Sequence, residues 1–169
     1  YWNCAGLSAV TNSAAARNKL DWLDGFLTDR DPDVLYLFEV IGAMPAFRSL
    51  RRWLSRRGYD CRFLPGQSER QHDGVVVAAR STRVRILSYR RVARRALGVK
   101  VQWRGEANER ALVGVHGLAG DAGSERHFAT QLRLCMQWIG AGGLLVGDFN
   151  HVACSGWRVQ SLPLGRGDR

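Results

Sequence analysis

Two short apolar runs that stop abruptly at acidic residues constrain this sequence more than any other feature. Val34–Phe38 is followed at once by Glu39, and Leu144–Val146 is followed by Gly147 and Asp148. A short continuous apolar run next to turn residues is typical of a strand that is buried on both faces. We therefore expect both runs to be buried strands, each placing a carboxylate at the end of a sheet.

Segments with helical periodicity separate these strands. Apolar residues recur at helical spacing in three segments, 13–27, 45–57 and 124–139. Ser13 is a candidate N-cap, Pro45 opens the second helix and Gly58 ends it. Trp2–Leu7 is expected to be a strand end that runs into a turn at Gly6. Further short strands are predicted at 59–64, 74–79, 84–89, 97–103 and 111–116. Short strands interleaved with helices favour a layered α/β fold, in which two sheets pack face to face with the helices outside.

Positive charge is concentrated in the middle of a chain that, at 169 residues, is long enough for one domain. The net charge is +10, and the segment 80–104 contains eight Arg and one Lys but no acid. Such a field attracts polyanions, nucleic acid first. A solvated arginine-rich surface explains the same composition equally well. The basic second helix could contact nucleic acid or a membrane, although an outer helix with a solvated face explains it better.

The cysteines indicate the compartment. Cys4, Cys61, Cys135 and Cys154 form no CxxC pair and have no metal-type spacing. This pattern favours reduced, partly buried thiols in an intracellular protein over a disulfide framework. No apolar run approaches the roughly 20 residues that a transmembrane helix needs. Because the first residues already resemble the inside of a strand, we expect the chain to be part of a longer polypeptide.

Five short motifs follow one another along the chain. They are Trp2–Leu7, Pro32–Glu39, Asp73–Val77, Val113–His116 and Gly147–Asn150, with the helical segment 126–138 before the last. In this order they resemble the motifs of the endonuclease/exonuclease/phosphatase superfamily of metal-dependent phosphoesterases. The resemblance spans nearly the whole chain, as one domain over residues 1–169. It implies a four-layer α/β-sandwich, two packed and mostly antiparallel sheets with helices outside, incomplete at the C-terminal end.

The resemblance also implies a metal ion. Hydrolysis of a phosphodiester brings an anionic phosphate to a nucleophilic water, and a divalent cation helps with both charge and deprotonation. Such an ion needs hard oxygen ligands on rigid strand ends. By the resemblance, Glu39 would hold Mg²⁺, or Mn²⁺ in its place, and Asn3 would support the metal.

Four further residues receive roles from the same resemblance. Asp148 would orient or deprotonate the attacking water, and His116 would stabilise the charge that builds on the phosphoryl oxygens. Asn150 would hydrogen-bond the phosphate, and Arg126 would also contact it.

Each of these residues also has a structural interpretation. Asp148 and Asn150 are residue types that commonly form turns after a strand, and Asn3 could be a local turn residue. His116 could equally be a core histidine with its hydrogen bonds satisfied. Glu39 is harder to explain in this way, because a carboxylate at the end of a fully apolar strand needs a cationic partner.

Three functions follow from these observations. The first and last motifs most resemble the endonuclease domains of non-LTR retrotransposons and of abasic-site type, which implies a Mg²⁺-dependent DNA endonuclease, a neighbouring reverse transcriptase and a nuclear location. Members of the superfamily end with a Ser/Thr-Asp-His element, but no Asp-His pair follows Asn150 in this sequence. We therefore expect weak or no catalysis from the chain as it stands. The alternatives are an inactive nucleic-acid-binding remnant and a phosphatase or phospholipase acting on inositol phosphates or sphingomyelin.

Overall fold

The computed structural model describes residues 1–7, 14–40, 44–66, 74–117, 122–140 and 142–148, with the backbone alone for 2–7, 15, 45–46 and 122–126. Within these residues lie eight strands and three helices. In chain order they are β1 (Trp2–Leu7), α1 (Ala14–Arg30), β2 (Val34–Val40), α2 (Met44–Arg56), β3 (Tyr59–Leu64), β4 (Gly74–Arg80), β5 (Val84–Ala93), β6 (Ala96–Trp103), β7 (Glu109–His116), α3 (Ala122–Ile139) and β8 (Leu144–Asp148).

The strands form two four-stranded sheets. The first sheet has the order β1-β2-β4-β3 and the second sheet has the order β5-β6-β7-β8. Each sheet contains one parallel pair, β1 with β2 and β7 with β8, and its other pairs are antiparallel. The expected pair of mostly antiparallel sheets is therefore confirmed.

Three apolar clusters hold four layers together. Helices α1 and α2 cover the outer face of the first sheet, where Leu23 and Leu50 pack with Leu37. The two sheets pack on each other through a second cluster that includes Phe38 and Val99. Helix α3 covers the outer face of the second sheet through a third cluster. This is the four-layer α/β-sandwich that the sequence predicted. Among the described residues, no helix is both long and apolar enough to cross a bilayer.

The two sheets approach each other closely where Tyr36 of β2 lies against Gly114 of β7. A Cβ added at Gly114 would lie 2.0 Å from Cδ1 of Tyr36, so only glycine fits there. The Tyr36 hydroxyl donates a hydrogen bond to the carbonyl of Leu112 at 3.2 Å, with the carbonyl of Leu97 at 3.4 Å. Burial raises the pKa of this phenol. Tyr36 thus fixes the position of β2 relative to β6 and β7, and β7 ends in the predicted site residue His116.

Several boundaries differ from the sequence prediction. Gly6 lies inside β1 rather than in a turn, because the strand continues to Leu7, which pairs with Val40. Strand β5 continues beyond Tyr89 to Ala93, because its arginine-rich end pairs with the start of β6 in a hairpin. Polar residues at a sheet edge have no apolar alternation, so the sequence pattern did not predict this extension.

Candidate functional site

A bulge near the end of β2 determines where Glu39 points. The pairing of β2 with β4 is regular up to Leu37 opposite Val76 and resumes at Val40 opposite Gly74, so β2 has one residue more than its partner. Glu39 lies in this interval with a φ of 57°, in the left-handed region that non-glycine residues seldom occupy. One extra residue in a strand bends it and changes the direction of side chains.

The bulge takes Glu39 out of the strand's alternation. Leu35 and Leu37 face the helices, and Phe38 faces the second sheet. In a regular strand Val40 would face the same way as Phe38, yet it packs with Leu35 and Leu37. The side chain of Glu39 therefore belongs to neither of the apolar clusters on the two faces of the first sheet. Its Oε1 lies 3.2 Å from Nε2 of His116 in the second sheet.

His116 is the last residue of β7, and it lies next to residues of β2, β8 and the turn between β5 and β6. Its side chain is 3% exposed, and its ring lies beside that of Phe38, with the ring centroids 6.1 Å apart. Its backbone N–H donates to the carbonyl of Arg95 at 3.0 Å. Its register partner in the parallel strand β8 is Asp148, whose carbonyl accepts a 2.7 Å hydrogen bond from the N–H of Gly117.

The environment of His116 favours its neutral form. Burial lowers the pKa of the imidazole most, and the nearby guanidinium of Arg95 lowers it further. The carboxylates of Glu39 and Asp148 act in the opposite direction without reversing the shift. At neutral pH the ring therefore has one N–H, which the 3.2 Å contact assigns to Nε2, where it donates to Glu39.

Gly147 explains why Asp148 lies next to His116. A Cβ at Gly147 would lie 2.2 Å from the carbonyl oxygen of Val115, so a side chain there would separate β8 from β7. The glycine before Asp148 thus lets the two parallel strands pair to their ends, with His116 opposite Asp148.

The structure brings together three of the six predicted site residues. Glu39, His116 and Asp148 come from two different sheets, and both carboxylates act electrostatically on the same imidazole. The backbone of Asn3 lies opposite Phe38 in β1, next to the bulge, but its side chain is outside the described residues, as is that of Arg126 in α3. Asn150 also lies outside them.

Sequence reasoning missed two neighbours of His116, namely Phe38 and Arg95. In the sequence, Phe38 is one residue of an apolar strand, and nothing marks it as the ring that lies beside the imidazole. Arg95 was one of many arginines in a basic segment. The hairpin places it next to His116, since Ala96 is the register partner of Val115. A pairing of β6 with β7, had it been predicted, would have pointed to Arg95.

Comparison with known proteins supports the fold and no narrower assignment. No family model matches the chain, and no curated protein matches it. Among solved structures, the human Nocturnin catalytic domain with bound sulfate superimposes with a TM-score of 0.65 and 22% identity, over 89% of this chain and 63% of that domain. An endonuclease/exonuclease/phosphatase from Bacteroides vulgatus gives 0.64 and 17% identity, over 89% of this chain and 64% of that one.

A third structure, D. rerio TDP2 complexed with single strand DNA product, gives a TM-score of 0.59 and 18% identity, over 88% of this chain and 59% of that one. The chain thus spans less than two thirds of each of these three proteins. Because the sequence identities are only 17–22%, the structural similarity shows the fold alone. The chain has the endonuclease/exonuclease/phosphatase fold, as its motif order predicted.

Proposed function

We propose that this chain, which has the endonuclease/exonuclease/phosphatase fold, is a metal-dependent phosphodiesterase domain that acts on nucleic acid. The observation that supports this most is the meeting of Glu39, from the first sheet, with His116 and Asp148, from the second. Two carboxylates and a buried neutral imidazole, from strands distant in sequence, form the kind of cluster that phosphoryl transfer uses.

The donor set fits a divalent cation, Mg²⁺ or Mn²⁺. Glu39 would hold the ion, with Asn3 in support, because carboxylate and amide oxygens are hard ligands. In the described part of the chain no three His, Cys, Asp or Glu side chains form one metal-binding group. Mg²⁺ is nevertheless usually bound through one or two carboxylates and keeps several waters. When bound, such an ion would neutralise phosphate charge and lower the pKa of a water.

The chain's own residues would then divide the remaining work. Asp148 would accept a hydrogen bond from the attacking water and take its proton, while Asn150 and Arg126 would hold the phosphate. His116 would donate its N–H to a phosphoryl oxygen in place of Glu39. Its lowered pKa makes it a hydrogen-bond donor to the developing charge rather than a general acid that starts protonated.

Exposed arginines on an edge strand support nucleic acid as the substrate. Arg85, Arg90 and Arg91 are exposed on β5, the edge strand of the second sheet. This strand leads to the turn that holds Arg94 and Arg95, next to His116. Cationic side chains along one edge match the phosphates of a polynucleotide and position it without reading sequence. The narrower proposal is a DNA endonuclease domain of retrotransposon type, next to a reverse transcriptase in a nuclear polypeptide.

The exposed Arg85, Arg90 and Arg91 of β5, which we call the arginine edge, also favour a second candidate. This candidate is a domain that binds nucleic acid without turnover. In that case Glu39 and His116 would form a structural pair and the charge on β5 would account for all binding. A phosphatase or phospholipase acting on inositol phosphates or sphingomyelin would use the same three site residues but not the arginine edge.

Nicking of supercoiled plasmid tests these alternatives. We expect slow nicking that requires Mg²⁺ or Mn²⁺ and falls at least about 100-fold in Glu39→Gln, because the substitution removes the carboxylate while keeping its size. Glu109→Gln is the matched control, since Glu109 is an exposed carboxylate at the opposite end of β7. Salt-sensitive binding without metal-dependent nicking, unchanged by Glu39→Gln, would instead establish the binding-only domain.

A further inference from the structure

A cavity of about 320 Å³ adjoins the candidate site without containing it. Ala93 at the end of β5 and the two turn residues 94–95 line one side. The other side is lined by His127, Thr130, Gln131 and Leu134 of α3. Arg95 connects the cavity to the site, because its carbonyl accepts the hydrogen bond from the N–H of His116. A volume of this size lies at the lower end of those that hold small organic ligands, about 300–1,000 Å³.

Gln131 is the most informative residue of this cavity. It lies three residues after Phe128 and four before Cys135, on the helix face that packs against the second sheet, where an apolar side chain is expected. It is only 7% exposed, and its Nε2 has no hydrogen-bond partner among the described residues. Buried amides are nearly always hydrogen-bonded, so an unpaired one that lines a cavity indicates a ligand acceptor.

The rest of the lining defines the chemistry of that ligand. Arg94, Arg95 and His127 can all be cationic, and none of the lining residues is an acid. Ala93 and Leu134 add an apolar wall. Cationic groups recognise phosphate, whereas an apolar wall with a glutamine amide suits a nucleobase, whose edge has both donors and acceptors.

We propose that this cavity binds one nucleotide of the substrate strand, next to the scissile phosphate. The arginines of the turn contact the phosphate, and Gln131 hydrogen-bonds the base that lies against Leu134. The proposal rests on the proposed function for its biological role, but binding in the cavity needs neither the metal nor Glu39. The cavity would therefore fix which nucleotide lies beside the bond that is cut.

Binding of deoxyadenosine monophosphate in EDTA, measured by calorimetry, tests the cavity separately from cleavage. We expect Gln131→Leu and Arg94→Ala each to weaken binding about 10-fold, since each removes one polar contact. Glu39→Gln and Arg52→Ala, the second on the exposed face of α2, should stay within 2-fold of wild type. Inorganic phosphate should bind at least 10-fold more weakly than the nucleotide.

Three results would overturn the proposal. They are nucleotide binding that is unchanged in both Gln131→Leu and Arg94→Ala, inorganic phosphate binding as tightly as the nucleotide, and equal loss of binding in Glu39→Gln. Leucine replaces an unpaired buried amide at similar volume, so the Gln131 variant should melt no lower than wild type. Arg94 is exposed, and its variant gives a second, independent result.

The outcome is distinct from that of the plasmid assay. Binding that depends on Gln131, in a protein that never nicks DNA, would keep the nucleotide site and reject the hydrolase. Metal-dependent nicking with a cavity insensitive to Gln131→Leu would keep the hydrolase and reject the nucleotide site.

Discussion

The left-handed backbone at Glu39 predicts an unusual order of stability for substitutions at this residue. Both Glu39→Ala and Glu39→Gly remove the carboxylate and its contact with His116, so that loss cancels when the two variants are compared. What remains is the backbone. Alanine must keep a φ near 57° against its own Cβ, whereas glycine adopts this conformation without steric cost.

The magnitude follows from two opposing terms. A left-handed conformation costs a non-glycine residue about 1–2 kcal/mol. Glycine in a strand costs about 0.5–1 kcal/mol relative to alanine, because it loses more conformational entropy on folding. At residue 39 the first term is larger, so Glu39→Gly should be more stable than Glu39→Ala by about 0.5–1 kcal/mol. In a chain of this size that corresponds to a difference in Tm of about 1–4 °C.

Urea unfolding of four variants measures this difference. The control pair is Arg85→Ala and Arg85→Gly, at an exposed position inside β5 where no positive φ occurs and where alanine should be the more stable by about 0.5–1 kcal/mol. The sign should therefore reverse between the two positions. If alanine were the more stable residue at 39 as well, the bulge would not hold Glu39 in the left-handed region, and our account of how its carboxylate reaches His116 would be wrong.

Two further predictions concern the packing of the sheets and the buried thiols. Gly114→Ala should destabilise the protein by about 3 kcal/mol in chemical unfolding, because its Cβ would overlap the ring of Tyr36. Gly25→Ala, in open space on α1, should instead stabilise it by up to about 1 kcal/mol. Equal effects of the two substitutions would contradict the close approach of the sheets. Burial raises the pKa of Cys61 from 9.0 to about 11, so the unfolded thiol ionises first as the pH rises. The stability from this residue is complete below pH 9 and is lost between pH 9 and 11, by roughly 3 kcal/mol. Cys61→Val should lose this part of the alkaline slope, and an unchanged slope in the variant would show that the thiol is not buried in the folded state.

Much of the fold follows from the sequence because apolar periodicity determines which faces are buried. The stripe of α3, for example, includes Phe128, Cys135 and Ile139, and all three are buried against the second sheet. The predicted pattern for Tyr59–Leu64 matches β3 at both ends. Cys61 and Cys135, the cysteines whose side chains the structure describes, are free and buried, and their reduced state stays a prediction.

The site was only partly predictable because its geometry depends on pairings between distant strands. Glu39 was expected at the end of a strand, but the bulge that turns it toward His116 arises from the pairing of β2 with β4. The bulge makes Val40 pack on the same face as Leu37. The sequence does not reveal this change, because a strand that is apolar on both faces has no alternation to interrupt. Arg95 and Gln131 gave no local signal, since an arginine among arginines and a glutamine on a helix are both ordinary.

We propose above that Glu39 and Asp148, from different sheets, lie at one cation site with His116 between them. Paramagnetic line broadening by Mn²⁺ tests it most directly, because Mn²⁺ prefers carboxylate ligands and broadens only nearby NMR signals. We predict that substoichiometric Mn²⁺ broadens the amide signals of Glu39, His116 and Asp148 together, and that Glu39→Gln raises the Mn²⁺ concentration needed at least about 10-fold. Broadening that reaches Asp148 but spares Glu39, or that is unchanged in the variant, would contradict the claim.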